Sequence, residues 1–146
     1  MWAYLLFAFA AGAVLPFQAG INAELADWVH SPVRAAFVSF VAGAIVLLVA
    51  AALVFKPLPT WERLGHAPWW VWIGGALGAF YVVGSIVSAP KLGAATLIAL
   101  VVAGQATASV VVDHFGWVGF EPRHISAGRL AGMALVGAGV ALVRIF

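Results

Sequence analysis

Residues 35–55, AAFVSFVAGAIVLLVAAALVF, give the clearest indication of the fold class of this chain. It has no charged side chain, and Ser39 is its one polar side chain. A helix needs about 20 apolar residues to cross the hydrocarbon core of a bilayer, whereas a helix at the surface of a soluble protein keeps one polar face. Because these 21 residues are apolar on every face, they predict a transmembrane helix.

Four other segments are long and apolar enough to cross a membrane. With the first stretch, the predicted spans cover residues 2–23, 35–55, 69–89, 92–112 and 125–145. The fold class is therefore all-α, a polytopic membrane protein with five transmembrane helices in a single domain of residues 1–146. The third and fourth spans meet at a tight reversal, Ala89-Pro90-Lys91. Arg129 can extend to the headgroups because it lies near a helix end.

The first predicted span must be distinguished from a secretory signal peptide, which has a basic start and an apolar region of about 7–15 residues. Residues 2–23 form an uncharged run of 22 residues, and no basic side chain precedes it. We therefore expect this segment to be a retained membrane span.

The composition excludes a soluble domain. Of the 146 residues, 65% are hydrophobic and 8% are charged, whereas a soluble domain has about 25% charged residues. The net charge of +2 is too small and too dispersed to indicate nucleic-acid binding. Cysteine is absent, and the motifs of nucleotide-binding loops, zinc proteases and serine hydrolases are missing. We therefore expect no enzyme, no cofactor and no metal site.

All seven tryptophans fall at predicted helix ends or in predicted loops. They are Trp2, Trp28, Trp61, Trp69, Trp70, Trp72 and Trp117. Indole prefers the membrane interface, where its ring is in an apolar layer and its N–H reaches water. The tryptophans thus support the five spans independently of hydropathy.

The positive charges do not fix the orientation of the chain, although cytoplasmic loops normally carry an excess of Lys and Arg. Four basic residues lie on the same side of the membrane as the N-terminus, namely Lys56, Arg63, Arg123 and Arg129. Three lie on the opposite side, namely Arg34, Lys91 and Arg144. One interpretation is a single, weakly determined topology set by a partner. The interpretation that we favour is dual topology, in which a second, inverted copy completes an antiparallel homodimer of ten helices around a midplane site.

Polar side chains share helix faces in three spans, and such groups usually face protein or a wet cavity. The candidate substrate-binding residues are Gln18 and Asn22 in the first span, Tyr81 and Ser85 in the third, and Gln105 in the fourth. Serine often bonds its own helix backbone, and we favour that interpretation for Ser85, Ser88 and Ser109. For the three amides, helix-to-helix contacts and substrate contacts are equally open. Pro16 predicts a kink in the first span.

None of the five acidic residues lies in the middle of a predicted span, although such residues are the usual proton carriers of transporters. Glu24 comes closest, and it is the candidate for proton coupling, with an interfacial carboxylate as the alternative. Asp113 and His114 close the fourth span, where solvation is the simpler explanation. The fifth span has no uncharged polar side chain between Leu130 and Val143, so we expect it to pack against a partner or at the periphery.

Several motifs together resemble the YdcZ-like family of the drug/metabolite transporter superfamily. They are Pro16-x-Gln18-x-x-x-Asn22, residues 74–80 (GGALGAF), residues 89–96 (APKLGAAT), Gly104-Gln105 and Asp113-His114-Phe115-Gly116. The resemblance implies a half-size transporter in the inner membrane of a bacterium. It also implies dual-topology homodimers, paired inverted chains or fused tandem proteins. The related small multidrug resistance proteins have a glutamate in the middle of the first helix, and this chain has no acid at that depth.

The leading hypothesis is a secondary transporter, an exporter of small molecules that works by alternating access as an antiparallel homodimer. Its partners would be a second copy, membrane lipid and a small-molecule substrate, with no nucleic acid. Aliphatic walls suit a neutral, weakly polar or amphipathic substrate. The alternatives are a small dual-topology ion channel and an accessory membrane subunit without transport activity.

Overall fold

A computed structural model describes residues 1–54 and 61–146, and all regular structure in these two ranges is helical. Six α-helices are present in the described part of the chain: α1 Trp2–Val29, α2 Pro32–Val54, α3 Trp61–Gly65, α4 Ile73–Leu92, α5 Ala94–Phe115 and α6 Ala127–Ile145. Short 3₁₀ segments, Trp69–Trp72 and Trp117–Gly119, precede α4 and follow α5. The predicted end of the second span, Phe55, lies outside the described residues.

The five long helices have the length and composition of membrane spans, which confirms the predicted fold class. They contain 28, 23, 24, 22 and 19 residues when the 3₁₀ turn before α4 is counted with that helix. Their apolar side chains point outward: Ile45, Val46 and Leu48 on α2 are each more than half exposed, and α6 buries no residue. Such a surface is stable in lipid and would aggregate in water.

The first helix is longer than predicted: it continues past the predicted end at Ala23 through residues 24–29. Ala, Glu and Leu in this stretch are good helix formers. His30, at a φ of +53°, ends the helix, and only Ser31 separates it from α2. Proline suits the first position of a helix, and the Ser31 hydroxyl caps α2 by accepting from the Arg34 backbone N–H at 3.3 Å.

The predicted reversal at Ala89-Pro90-Lys91 is wrong, because α4 continues through Pro90 to Leu92. The break falls at Gly93, whose φ of +76° is a conformation that glycine adopts readily. Likewise, α5 continues past the predicted end at Val112 to Phe115, where Gly116 caps it in the left-handed conformation.

The chain divides into two compact units, Phe17–Pro90 and Met1–Pro16 with Lys91–Phe146. In the first, hereafter the 17–90 unit, α2 and α4 pack around Ala35, Ala36, Val82 and Ile86. In the second, α5 packs against α6. The expectation of a single domain stays a prediction.

Candidate functional site

A cavity of about 290 Å³ opens on the 17–90 unit. Its walls come from α1, α2 and α4: Gln18, Ser39, Phe40, Gly43, Ala44, Leu47 and Val82. Gln18 and Ser39 are the two polar residues of this lining, and no lining residue is charged. The cavity therefore combines hydrogen-bonding groups with apolar walls, the usual composition of a small-molecule site.

The cavity lies far from the ends of its helices. At a rise of about 1.5 Å per residue, Gln18 is about 16 Å from the end of α1 at Val29, and Val82 is about 15 Å from the end of α4 at Leu92. Ser39 and Leu47 lie about 10 Å and about 22 Å from the start of α2. Because the hydrocarbon core is about 30 Å thick, distances of about 10–22 Å from the helix ends place the cavity away from both membrane surfaces.

Small residues create the space for this cavity. Gly43 and Ala44 lie one turn after Ser39 and Phe40 on α2. Gly43 has no side chain and Ala44 only a methyl group, which leaves a depression between longer neighbours. Phe40 forms one wall, and its ring lies over Gly78 of α4, where a Cβ atom would be 3.4 Å from the ring carbon Cζ. Gly78 thus allows the ring to pack directly on α4.

The predicted polar residues of the 17–90 unit have different environments. Gln18 lines the cavity, whereas Asn22, one turn further along α1, is buried with 4% of its surface exposed. Tyr81 is half-buried and packs against the apolar cluster that contains Val82. Ser85 is buried on α4. The structure thus places Gln18 at the cavity and the other three among packed side chains.

Hydroxyl groups in these helices bond their own backbone. The Ser85 hydroxyl donates to the carbonyl oxygens of Tyr81 and Val82, at 2.9 and 3.0 Å. On α5, Thr107 donates to the Ala103 carbonyl at 2.8 Å, and Ser109 donates to the Ala106 carbonyl at 3.0 Å. These bonds agree with the intrahelical interpretation of Ser85 and Ser109 and satisfy the hydroxyls without a ligand.

Glu24 lies inside α1 rather than after it, and its side chain is exposed. A carboxylate oxygen of Glu24 accepts from the Trp28 indole N–H at 3.3 Å, one turn further along. The predicted role of Glu24 in proton coupling stays a prediction.

Gln105 belongs to the other unit and is exposed on α5. Neither of the described cavities has Gln105 in its lining. Its predicted contact with substrate stays a prediction.

An ion pair joins the end of α5 to the start of α6, which corrects the expectations for both partners. The Arg129 guanidinium donates to the Asp113 carboxylate at 2.9 Å, so Arg129 is paired within the protein rather than extended to headgroups. The same guanidinium donates to the Arg123 carbonyl at 3.2 Å, and the Arg123 backbone N–H donates to the Asp113 carbonyl at 2.7 Å. Asp113 is therefore held by the protein rather than only solvated.

A second cavity, of about 390 Å³, lies beside this ion pair and is lined by Asp113, Gly119, Phe120, Glu121 and Arg123. His114 accepts from the Ile125 backbone N–H at 3.4 Å and stands edge-on to His124, with 5.5 Å between ring centroids. Across residues 1–54 and 61–146, no group of three or more His, Asp or Glu side chains is placed to hold a metal ion.

Sequence reasoning missed Ser39 as a site residue, although Ser39 stood out as the single polar side chain of its span. It also missed the Asp113–Arg129 pair, because the partners are 16 residues apart and meet only through the fold of the connecting loop.

Comparison with known proteins identifies relatives of this chain. The family described as "Putative inner membrane exporter, YdcZ" matches residues 3–142. The chain is also similar to "Inner membrane protein YdcZ" of Escherichia coli (strain K12), with 37% identity over 82 residues. That alignment covers 56% of this chain and 54% of the relative, so it spans about half the length of the curated protein. No solved structure matches.

Proposed function

Because the chain belongs to the YdcZ family of inner membrane exporters, and is a multi-pass protein of the inner membrane, we propose that it is a secondary transporter of small molecules. We further propose that it exports its substrate by alternating access as an inverted homodimer. One observation carries this proposal. It is the cavity at the middle of the spans, where an amide and a hydroxyl face an otherwise apolar space. An amide at that depth is costly in lipid, which favours a ligand as the partner of Gln18.

The lining of the cavity indicates the class of substrate. Gln18 can donate and accept hydrogen bonds, and so can Ser39. Phe40, Leu47 and Val82 supply apolar contact area, and no charge is present to neutralise an ion. We therefore propose an uncharged, weakly polar or amphipathic substrate that fits a space of about 290 Å³.

The homodimer would supply the second half of the site. Helices α1, α2 and α4 of one unit line the cavity, and an inverted copy would bring the same three helices from the opposite side of the membrane. The nearly even distribution of Lys and Arg, four on one side and three on the other, supports insertion in both orientations. In this proposal Asn22 and Tyr81 support the cavity from the packed side of α1 and α4, and Glu24 couples transport to protons.

Flux through proteoliposomes tests the transport proposal. We expect counterflow of a neutral amphipathic probe, radiolabelled chloramphenicol, and a rise in the melting temperature of the purified protein with the same compound, because a ligand stabilises the state that binds it. Gln18→Leu and Ser39→Ala should each reduce the flux severalfold. Thr107→Val is the matched control, because the Thr107 hydroxyl bonds its own helix.

Three outcomes would contradict the proposal. Rapid ion conductance without exchange of the probe would indicate a channel. An absence of both flux and thermal stabilisation, for chloramphenicol and for a panel of uncharged amphipathic compounds, would indicate an accessory subunit. Equal flux in Ser39→Ala, Gln18→Leu and the unmodified protein would remove the cavity from the transport path.

Labelling at the carboxyl end tests dual topology separately. Phe146 is fully exposed, and the chain has no natural cysteine, so Phe146→Cys gives one defined target. We expect an impermeant maleimide to label about half of the protein from each face of the membrane. Labelling from one face alone would overturn dual topology and leave the flux experiment intact.

A further inference from the structure

We propose that the middle of α5 is the self-contact of the inverted homodimer, with the Gln105 amides of the two copies hydrogen-bonded to each other across the twofold axis. This inference rests on the dual-topology homodimer proposed above and adds the surface through which the copies meet. It also gives Gln105 a role other than substrate contact.

Gln105 lies at the centre of its helix. Helix α5 spans Ala94–Phe115, so eleven residues of the helix precede Gln105 and ten follow it. Its amide is exposed, about 16 Å from either end of the helix and therefore near the middle of the hydrocarbon core. No other charged or amide side chain lies between Ala94 and Val112.

The Gln105 amide needs a hydrogen-bond partner that the described part of its own unit does not supply. The neighbouring hydroxyls of Thr107 and Ser109 are satisfied by carbonyl oxygens of α5 itself. Within the described part of its own unit, no hydrogen bond reaches the side chain of Gln105. Acyl chains offer neither donors nor acceptors, so an unpaired amide is costly there. A carboxamide has both a donor and an acceptor, and a second copy of Gln105 is therefore a complementary partner.

Symmetry selects the central residue. When two copies are inverted about a twofold axis in the membrane plane, only residues at the midplane of a helix meet their own counterparts, and every other residue meets one on the far side of the centre. For an axis at Gln105, Val101 of one copy would face Ser109 of the other. Ala108 and Ser109, three and four residues after Gln105, are small and exposed on the same face of α5, so this face is open to a close helix neighbour.

Cysteine cross-linking in native membranes tests the contact, because the chain has no natural cysteine. Iodine or a short bismaleimide should join two copies of Gln105→Cys into a covalent dimer. Ser109→Cys alone should remain monomeric, whereas Val101→Cys co-expressed with Ser109→Cys should give the dimer. This pattern is specific to an inverted pair that meets at the centre of α5.

Each other outcome overturns the contact. A dimer from Ser109→Cys alone would indicate a parallel pair, and no cross-link in any variant would place this face of α5 away from the axis. If cross-linking fails while Phe146→Cys is labelled from both faces and flux persists, the interface is wrong and the transport proposal stands.

Gln105→Leu should also weaken the dimer about threefold or more in detergent. Thr107→Val, whose hydroxyl is satisfied internally, should not weaken it.

Discussion

Removing the ion pair between Asp113 and Arg129 should destabilise the contact between α5 and α6. The two side chains are 25% and 30% exposed, respectively, and their charged atoms are 2.9 Å apart. Exposed pairs contribute about 0–1 kcal/mol, and breaking a buried pair costs about 3–5 kcal/mol. For this partly exposed pair we expect Asp113→Ala and Arg129→Ala each to lower the free energy of unfolding by about 2 kcal/mol.

The assay is a double-mutant cycle on the purified protein, with unfolding followed by tryptophan fluorescence. A loss of about 2 kcal/mol corresponds to a fall of about 4–8 °C in melting temperature for a chain of this size. The double variant should lose little more free energy of unfolding than either single variant. The coupling energy between the two side chains should be about 1–2 kcal/mol and should fall at high salt.

Arg123→Gln is the matched control for this cycle. Arg129 donates to the backbone carbonyl of Arg123, and that carbonyl survives the substitution, so the melting temperature should change little. Additive losses in the Asp113 and Arg129 variants, within about 0.3 kcal/mol, would contradict this prediction, because additivity means that the two charges do not interact.

Further predictions concern the loop after α5 and the polar residues of the 17–90 unit. Gly116→Ala should lower stability by about 2 kcal/mol, because its Cβ would lie 2.8 Å from Pro122 Cγ at a φ of +64°. Val118→Gly should raise stability by about 1 kcal/mol in the same melting experiment, because a β-branched residue holds a φ of +50° there; a fall would contradict this account. Ser85→Ala should leave probe flux within about twofold of the unmodified protein, because both of its hydrogen bonds stay inside α4. Glu24→Gln should abolish the stimulation of flux by a pH gradient and preserve counterflow, and retained stimulation would remove Glu24 from coupling.

The number and type of the elements could be predicted from the sequence, because crossing a membrane requires a length of apolar chain that can be counted directly. The ends of the helices could not. Residues 24–29 are polar enough to resemble a loop, yet they continue α1 because helical backbone satisfies its own hydrogen bonds at the interface. Pro90 resembles a reversal, yet the turn requires the positive φ of Gly93.

The candidate site could be predicted only in part. Periodicity placed Gln18 and Asn22 on one side of α1, and the structure separates them into a cavity residue and a buried residue. This difference depends on how α1 is rotated against α2 and α4. Because α2 is apolar on all sides, its sequence does not reveal which face carries the depression beside Ser39.

The chemistry of the polar group decides how much a residue in a membrane helix reveals about function. A hydroxyl can bond a carbonyl one turn earlier, as Ser85, Thr107 and Ser109 do, so its presence requires no ligand and no partner chain. A carboxamide has two donors and an acceptor, and a single carbonyl cannot satisfy it. The side chains of Gln18 and Gln105 therefore need hydrogen-bond partners from outside their own helices. In the proposed homodimer, the substrate is the hydrogen-bond partner of Gln18, and the second copy of the chain is the partner of Gln105.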